Sequence, residues 1–179
     1  MFQHVSLLLL TTVLTISATA QEDQMHVRDG RIVYQKVFEG ELDNPLEYLE
    51  NLRGVSNVRN LNGAFFSDGV ISNDEVRRGM SDVGMRGGTT PIFLQATNIR
   101  CQIQLEKREG RYRVTVTDIM LEWVNPTALT DGDETIDGYV LKRSGAIKPK
   151  IFQTTKTLYD QVFLNLFAPP ETAPSTDDW

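Results

Sequence analysis

The chain has 179 residues, a formal net charge of −6 and a single cysteine. This length suits one domain with a core large enough to be stable by itself. The acidic balance argues against nucleic-acid binding, which needs a basic field to displace counterions. One cysteine cannot form an internal disulfide. We therefore expect a single-domain protein that is held together by packing and does not bind nucleic acid.

The first twenty residues have the layout of a secretory signal peptide. Residues 5–16 are apolar or hydroxylic, and Ala18-Thr19-Ala20 is a small-x-small cleavage site before Gln21-Glu22-Asp23. The alternative is an uncleaved anchor, because the first four residues lack Lys and Arg. However, a membrane span needs about 20 apolar residues and the segment 5–18 is shorter. We predict cleavage after Ala20, export to the periplasm, the cell surface or the medium, and no stable membrane span afterwards.

These boundaries divide the chain into four parts. Residues 1–20 are the predicted signal peptide, and the polar residues 21–29 are predicted to be a flexible N-terminal extension. Residues 30–167 hold the elements of a single α+β domain. Residues 168–179 are rich in Pro, Thr and Asp, a composition that predicts a disordered tail.

The first half of the domain contains one clear strand and one clear helix. The segment 31–39 is rich in β-branched and aromatic residues and predicts a strand. Asn44 and Pro45 suit the first positions of a short Leu-rich helix over 45–53. Asp68-Gly69 predicts the turn of a small hairpin over 63–72. The polar, Gly-rich stretch 73–90 predicts a long loop or a strand broken by glycine, and the structure of 55–91 stays open.

Strict alternation of apolar and polar residues predicts a long hairpin around Glu109-Gly110. In this register Leu105 opposes Val114, and Cys101 opposes Asp118. A buried Asp118 beside a thiol is costly, and the apolar phase changes from Asp118 onwards. One explanation is a β-bulge near Thr117–Asp118, which returns the following apolar residues to the core. The other is a straight strand whose far end exposes an apolar patch for a partner, a ligand or a covering segment. We favour the bulge or a covering segment.

The second half of the domain ends in an amphipathic helix. Residues 125–138 predict an acidic loop, 139–143 one more short strand and 144–149 a turn. The segment 154–167 carries apolar residues at helical spacing and predicts a helix docked on the apolar face of the sheet. Its apolar stripe consists of Leu158, Tyr159, Val162, Phe163, Leu166 and Phe167.

The residues needed for common catalytic mechanisms are scarce. His4 lies in the signal peptide and His26 in the N-terminal extension, so histidine-dependent nucleophiles lack a base and a zinc site lacks ligands. Cys101 is interpreted as a small buried hydrophobe. The acidic loop 131–138 resembles a calcium loop in its first positions, but Ile136 stands where glycine is needed. We predict no catalytic residue, no cofactor and no metal site.

Four basic residues surround the predicted turn at Glu109-Gly110. They are Lys107, Arg108, Arg111 and Arg113. Two interpretations stay open: a solvated face, or a surface that docks an acidic partner or a phosphate group.

The chain resembles an uncharacterised family of exported Bacteroidetes domains, described as a domain of unknown function with a TBP-like fold. The resemblance rests on residues 30–38, the short Leu-rich helix, and the hairpin from 109–113 to 116–119. It covers about residues 30–125. The fold it implies is an antiparallel sheet of about four to five strands with two helices on one face, in the order β-α-β-β-β-β-α. The family has no established activity, so the resemblance implies no residue roles.

We first expect a non-enzymatic envelope or secreted protein that binds a protein or a surface component. Its candidate partner patch is Leu94, Leu121 and Trp123. The second hypothesis is a carrier that holds a small apolar ligand between the sheet and the C-terminal helix. Its candidate lining is Phe65, Phe66, Tyr112 and Phe163. The third is a hydrolase that uses carboxylates alone, whose residue pair needs distances. The sequence indicates neither the partner nor the oligomeric state.

Overall fold

A computed structural model describes residues 24–127 and 132–169. The predicted signal peptide lies outside these residues, as does the predicted tail beyond residue 169. The strands are β1 (Met25–Arg28), β2 (Arg31–Glu39), β3 (Val55–Leu61), β4 (Ala64–Ile71), β5 (Thr97–Arg108), β6 (Arg111–Trp123) and β7 (Glu134–Thr135). The helices are α1 (Pro45–Asn51), α2 (Asn73–Asp82), α3 (Ile92–Gln95), α4 (Ile136–Val140) and α5 (Pro149–Phe167).

The strands form one antiparallel sheet in the order β1-β2-β6-β5-β4-β3, and β7 pairs with the far end of β6. The α+β class and the antiparallel sheet are confirmed. The predicted strand number is wrong, because the sheet has seven strands within the described residues rather than four to five. Residues 25–28, predicted as part of a flexible extension, form β1 because they pair along β2. The helix number is also larger than the predicted two.

The predicted hairpin turn at Asp68-Gly69 is wrong. Strand β4 runs through both residues, and the turn before it lies at Asn62 and Gly63, whose φ angles are 53° and 83°. Gly69 lies inside the strand, where it is needed for packing and not for a turn. A Cβ atom at this position would lie 2.6 Å from Cδ1 of Ile103 on the neighbouring strand. The glycine therefore lets β4 and β5 pair while Ile103 fills the core above it.

The segment predicted as a loop after Ile71 begins with helix α2. Ser72 caps this helix, because its hydroxyl accepts from the backbone N–H of Glu75 while the Glu75 carboxylate accepts from the Ser72 N–H. Gly79 lies where α2 meets α5, and a Cβ there would come within 2.5 Å of Cγ2 of Val162. Close approach of the two helices therefore explains a glycine inside a helix.

The predicted strand at 139–143 is also wrong, because residues 136–140 form helix α4. The Asp137 carboxylate in its first turn accepts from the backbone N–H of Ile32 at 2.8 Å, which fixes α4 against β2. Helix α5 starts at Pro149 rather than at residue 154, with proline in the first turn. Its predicted apolar stripe is buried apart from Leu166, which is partly exposed.

The predicted long hairpin and its bulge are confirmed. Leu105 opposes Val114, whereas the register shifts between Arg100 and Gln102. Across this shift, β6 contains one extra residue beside Asp118, which has a φ of 50°. Asp118 is exposed and its carboxylate pairs with the Arg31 guanidinium at 2.8 Å. The bulge therefore turns Asp118 to solvent and returns the next apolar residues of β6 to the core.

A single core lies between one face of the sheet and the helices. Every helix contributes buried residues to it, and the sheet contributes the inward positions of β2, β4, β5 and β6. Among residues 24–127 and 132–169, the helical core residues are Leu49, Val76, Met80, Phe93, Leu94, Ile136, Val140, Leu158, Tyr159, Val162, Phe163 and Phe167. We call this side of the sheet the covered face. The described helices leave the opposite side, the open face, without a layer packed on it.

Candidate functional site

The predicted partner patch does not form an exposed surface. Leu94 and Leu121 are both 0% exposed, and Trp123 is partly buried. The bulge at Asp118 turns Leu121 into the core, and α3 places Leu94 there as well. This corrects the expectation of a Leu94, Leu121 and Trp123 patch, because the described residues of the chain cover its two leucines.

The four residues of the predicted ligand lining do not surround one cavity. Tyr112 and Phe163 are packed core residues: the Tyr112 hydroxyl donates to the carbonyl oxygen of Phe167 at 2.8 Å. Phe65 and Phe66 follow each other on β4, and side chains of successive strand residues point to opposite faces. Phe65 is packed against the core, whereas Phe66 lies on the open face. The structure therefore places the four on two sides of the sheet.

Acidic residues of the predicted calcium-like loop are used for other contacts. Asp133 pairs with the guanidinium of Arg100, and Asp137 holds the backbone of Ile32. Asp131 lies outside the described residues. Within the part of the chain that the structure describes, no group of three or more His, Cys, Asp or Glu residues is arranged to hold a metal ion.

His26 and Cys101 lie on different strands of the sheet, β1 and β5. His26 belongs to β1, opposite Val33, so it lies in the sheet rather than in a flexible extension. Cys101 is buried behind Gly69 on the covered face, and burial raises the pKa of its thiol to about 12. A thiol with such a raised pKa carries little thiolate and is a poor nucleophile at neutral pH.

Carboxylates line a cleft of about 830 Å³ where β2, α1 and the end of α5 meet. Its acidic residues are Glu39, Glu41, Asp43 and Glu47. Glu47 is engaged with Asn44 at the start of α1. Among the described residues, burial raises the pKa of one carboxyl, that of Asp160 on α5, which pairs with Lys156 at 2.9 Å. The acidic cleft and the perturbed carboxyl are thus separate, unlike the neighbouring acid and base that a carboxylate hydrolase needs.

The open face carries mostly polar and charged side chains, at alternate positions of the five adjacent strands β2, β6, β5, β4 and β3. Cross-strand pairing places Phe66, Gln104 and Thr115 in one row, and Glu106 beside Arg113 in the next. Residues on this face include Gln35, Val37, Glu39, Arg59, Phe66, Asp68, Arg100, Gln102, Gln104, Glu106, Arg108, Arg111, Arg113, Thr115 and Thr117. Because the strands are held from behind by the core, these side chains project from a rigid support.

The predicted basic tip is divided between the two faces. Arg108 and Arg111 oppose each other across the turn and lie on the open face together with Arg113. Lys107 opposes Tyr112 and belongs to the other side. The three arginines, Val37 and Glu106 line a small cleft of about 100 Å³, to which Tyr112 also contributes. The Arg113 guanidinium donates from Nε to the Glu106 carboxylate at 2.7 Å and makes a second contact through Nη2.

The sequence predicts the basic tip but does not predict the open face as a candidate site. The sequence does contain a sign of this face in the polar residues that alternate with apolar ones along β5 and β6. These polar residues are Gln102, Gln104, Thr115 and Thr117. Those positions indicate one wet side for each strand. These positions do not show that the solvent-facing sides of neighbouring strands form one continuous surface that no helix covers.

The fold and the open face define the class of this molecule: an α+β domain whose antiparallel sheet is covered by helices on one side. No protein-family model and no curated protein matches the chain. One similar solved structure is a TBP-like protein from Parabacteroides distasonis, with 17% identity, a TM-score of 0.43, and coverage of 79% of this chain and 94% of that one. Another is a DUF4468 family protein from Bacteroides ovatus, with 14% identity, a TM-score of 0.42, and coverage of 86% and 95%.

These structural neighbours are thus a TBP-like protein and a protein of a domain-of-unknown-function family, both from Bacteroidetes. They agree with the resemblance that the sequence indicates. Within residues 24–127 and 132–169, no helix combines the length and apolar character that crossing a membrane requires.

Proposed function

We propose that this chain is an exported, non-enzymatic binding module of the cell envelope or the medium, and that its open face contacts a protein or another surface component. The observation that carries the proposal is the one-sided covering of the sheet. The helices pack on one face, while the other presents side chains from strands of 12 and 13 residues and their neighbours. The export part rests on the signal-peptide layout of residues 1–20.

The open face has physical properties that suit recognition. Its side chains stand on paired strands, so binding does not have to order the backbone that presents them, and this lowers the entropic cost of association. Phe66 supplies an aromatic surface in the row of Gln104 and Thr115, and Arg59 lies opposite it on β3. Aromatic side chains, phenylalanine among them, and arginine are enriched in protein interfaces relative to the rest of the surface.

The non-enzymatic part is supported by the state of the reactive groups. Burial suppresses the Cys101 thiolate, and Asp160 is paired with Lys156. The cleft beside α1 is lined by carboxylates, but Asp160, whose pKa burial raises, does not line it. The carrier alternative lacks a comparable observation, because its four candidate residues are divided between the two faces.

Site-specific photo-crosslinking tests the binding proposal. A photoreactive residue replaces Gln102 on the open face in one variant and Gln153 on the outer side of α5 in the other; both glutamines are exposed. Each full-length variant is produced in the cells that make the protein and irradiated there. We expect a discrete covalent adduct from the Gln102 position only, with the partner identified by mass spectrometry.

Two outcomes would contradict the binding proposal: no adduct from Gln102, or the same adducts from Gln102 and Gln153. The export part is tested on the same cells by fractionation and by sequencing the N-terminus of the purified protein. We expect a chain that begins at Gln21 in the exported fraction. An intact Met1 on the natural protein would refute cleavage without affecting the crosslinking result.

A further inference from the structure

The tip of the β5–β6 hairpin brings like charges together on the open face. Arg108 and Arg111 are direct cross-strand partners on either side of the turn. Like charges placed directly opposite on antiparallel strands destabilise the pair. Neither guanidinium has an ion-pair partner among the described residues. The hairpin therefore holds two unneutralised arginines side by side, at a position where an uncharged polar pair would make it more stable.

Arg113 adds a third guanidinium in a fixed orientation. Glu106, its cross-strand partner, accepts from Nε and Nη2, so the plane of the Arg113 fork is set by this contact. The remaining donors of the fork stay available for another acceptor. Arg108, Arg111 and Arg113 all line the cleft of about 100 Å³ at the tip. Guanidinium forks match the paired oxygens of phosphate and sulfate groups.

The surrounding carboxylates only partly offset this charge. From Glu106 to Arg113 the chain contains four basic and two acidic residues, although the whole protein is acidic. Glu106 is engaged with Arg113. Glu39 opposes Arg111 on β2 but makes no ion pair with it in the described structure. The tip is thus a local positive site that a small anion can neutralise.

We propose that the cleft formed by Arg108, Arg111 and Arg113 binds an oxyanion, namely a phosphate or sulfate group carried by a small ligand. This inference rests on the proposed function, because it assigns a chemistry to one end of the same open face. Arg108 and Arg111 supply the unneutralised charge, and Arg113 supplies a fork that Glu106 holds in place. The cleft volume restricts the bound part to about one such group.

An NMR titration of the ¹⁵N-labelled fragment 21–179 tests the site with inorganic phosphate and, separately, with sulfate. Chloride is exchanged for each anion at constant ionic strength, and acetate serves as a carboxylate comparison. We expect saturable shifts of the amides on both sides of the turn. Arg108→Gln or Arg111→Gln should weaken binding about tenfold each, as expected for loss of a charge-assisted hydrogen bond. Arg108→Lys should weaken it less, because the charge remains while the fork is lost.

The matched control is Arg77→Gln on α2, an exposed arginine on the helical side of the molecule. It should leave the titration unchanged. Shifts that grow linearly without saturation, or that persist in the Arg108→Gln, Arg111→Gln double variant, would overturn the oxyanion site. Stronger phosphate than sulfate binding would indicate a phosphorylated ligand, and the reverse a sulfated one; equal binding supports the shared chemistry. Failure of the titration leaves the crosslinking from Gln102 as a separate test of the binding proposal.

Discussion

The two faces of this sheet are made by the same strands and have opposite properties. On the covered face, Ile103, Leu105, Val114 and Val116 are 0% exposed. The residues between them, Gln104 and Thr115, are polar and lie on the open face, where Gln104 is partly exposed and Thr115 is 6% exposed. Strand geometry permits this division, because successive side chains point to opposite sides. Alternate residues of one hairpin can therefore serve stability and, in the proposed function, recognition. The open face is then free to carry charges that the core could not contain.

The largest difference between the faces should appear when side chains are truncated. Phe163 on α5 is 0% exposed and its ring lies 4.8 Å from that of Tyr34. Phe163→Ala should lower the free energy of unfolding by about 3–5 kcal/mol, because it leaves a cavity. Gln102→Ala on the open face should change it by less than about 0.5 kcal/mol. Urea unfolding of both variants measures the contrast, and similar losses would show that the open face is also structural.

The bulge at Asp118 is the point where β6 changes which residues face the core. Asp118 has a φ of 50°, a conformation that Asn tolerates and that β-branched residues avoid. Asp118→Val should therefore lower the free energy of unfolding by about 1–2 kcal/mol. Asp118→Asn keeps the backbone and removes the exposed ion pair with Arg31, which is worth about 0–1 kcal/mol. Denaturant unfolding of the two variants separates these effects, and an equal loss would mean that charge rather than backbone holds the bulge.

The covered face was largely predictable from the sequence because its evidence is local. Alternation gave the register of β5 and β6, and the change of apolar phase gave the bulge at Asp118. The start of α1 followed from Asn44 and Pro45, and the structure has Asn44 accepting from the Glu47 N–H. These signals depend on residues within a few positions of each other.

The predicted elements are wrong where two nearby sequence patterns indicate different structures and tertiary packing decides which one forms. Asn62-Gly63 and Asp68-Gly69 are both turn dipeptides, and only the packing of Ile103 shows that Gly69 belongs inside a strand. Helix α2 has a readable capping box at Ser72, but its polar surface and Gly79 suggested a loop. The open face could not be predicted, because it depends on all helices docking on one side of the sheet.

Two buried tyrosines on the covered face allow a sharper comparison within that face. Among the described residues, the Tyr34 hydroxyl has no hydrogen-bond partner, whereas the Tyr112 hydroxyl donates to the carbonyl oxygen of Phe167. Tyr112→Phe should lower the free energy of unfolding by about 1 kcal/mol. Tyr34→Phe should raise it by up to about 1 kcal/mol, because a buried, unsatisfied polar group is removed. Chemical denaturation measures the sign of the change in the free energy of unfolding for both variants. A loss in Tyr34→Phe as large as in Tyr112→Phe would mean that a bound water satisfies the Tyr34 hydroxyl.

The smallest effect should come from Asp160, at the rim of the covered face where β1 meets α5. Its carboxylate accepts from the Met25 N–H at 2.8 Å and pairs with Lys156 at 2.9 Å. Burial raises the pKa of Asp160, while Lys156, the Met25 N–H and Lys36 oppose that rise. The native state therefore binds this proton more tightly than the unfolded chain. The contribution of Asp160 to stability is largest below its unfolded pKa of about 4 and declines as pH rises through the native pKa.

Asp160→Asn isolates this contribution, because the amide oxygen can still accept from Met25 but no longer titrates. The free energy of unfolding of the wild type minus that of the variant should fall as pH rises from about 3 to about 6, by less than about 1 kcal/mol. Urea unfolding of both proteins across this pH range measures the difference. The titration of the other carboxyls cancels in it, because both proteins contain them. A difference that grows with pH would mean that Lys156 and the Met25 N–H outweigh burial. In that case the rim where β1 attaches would behave as an ionic contact, not as an extension of the covered face.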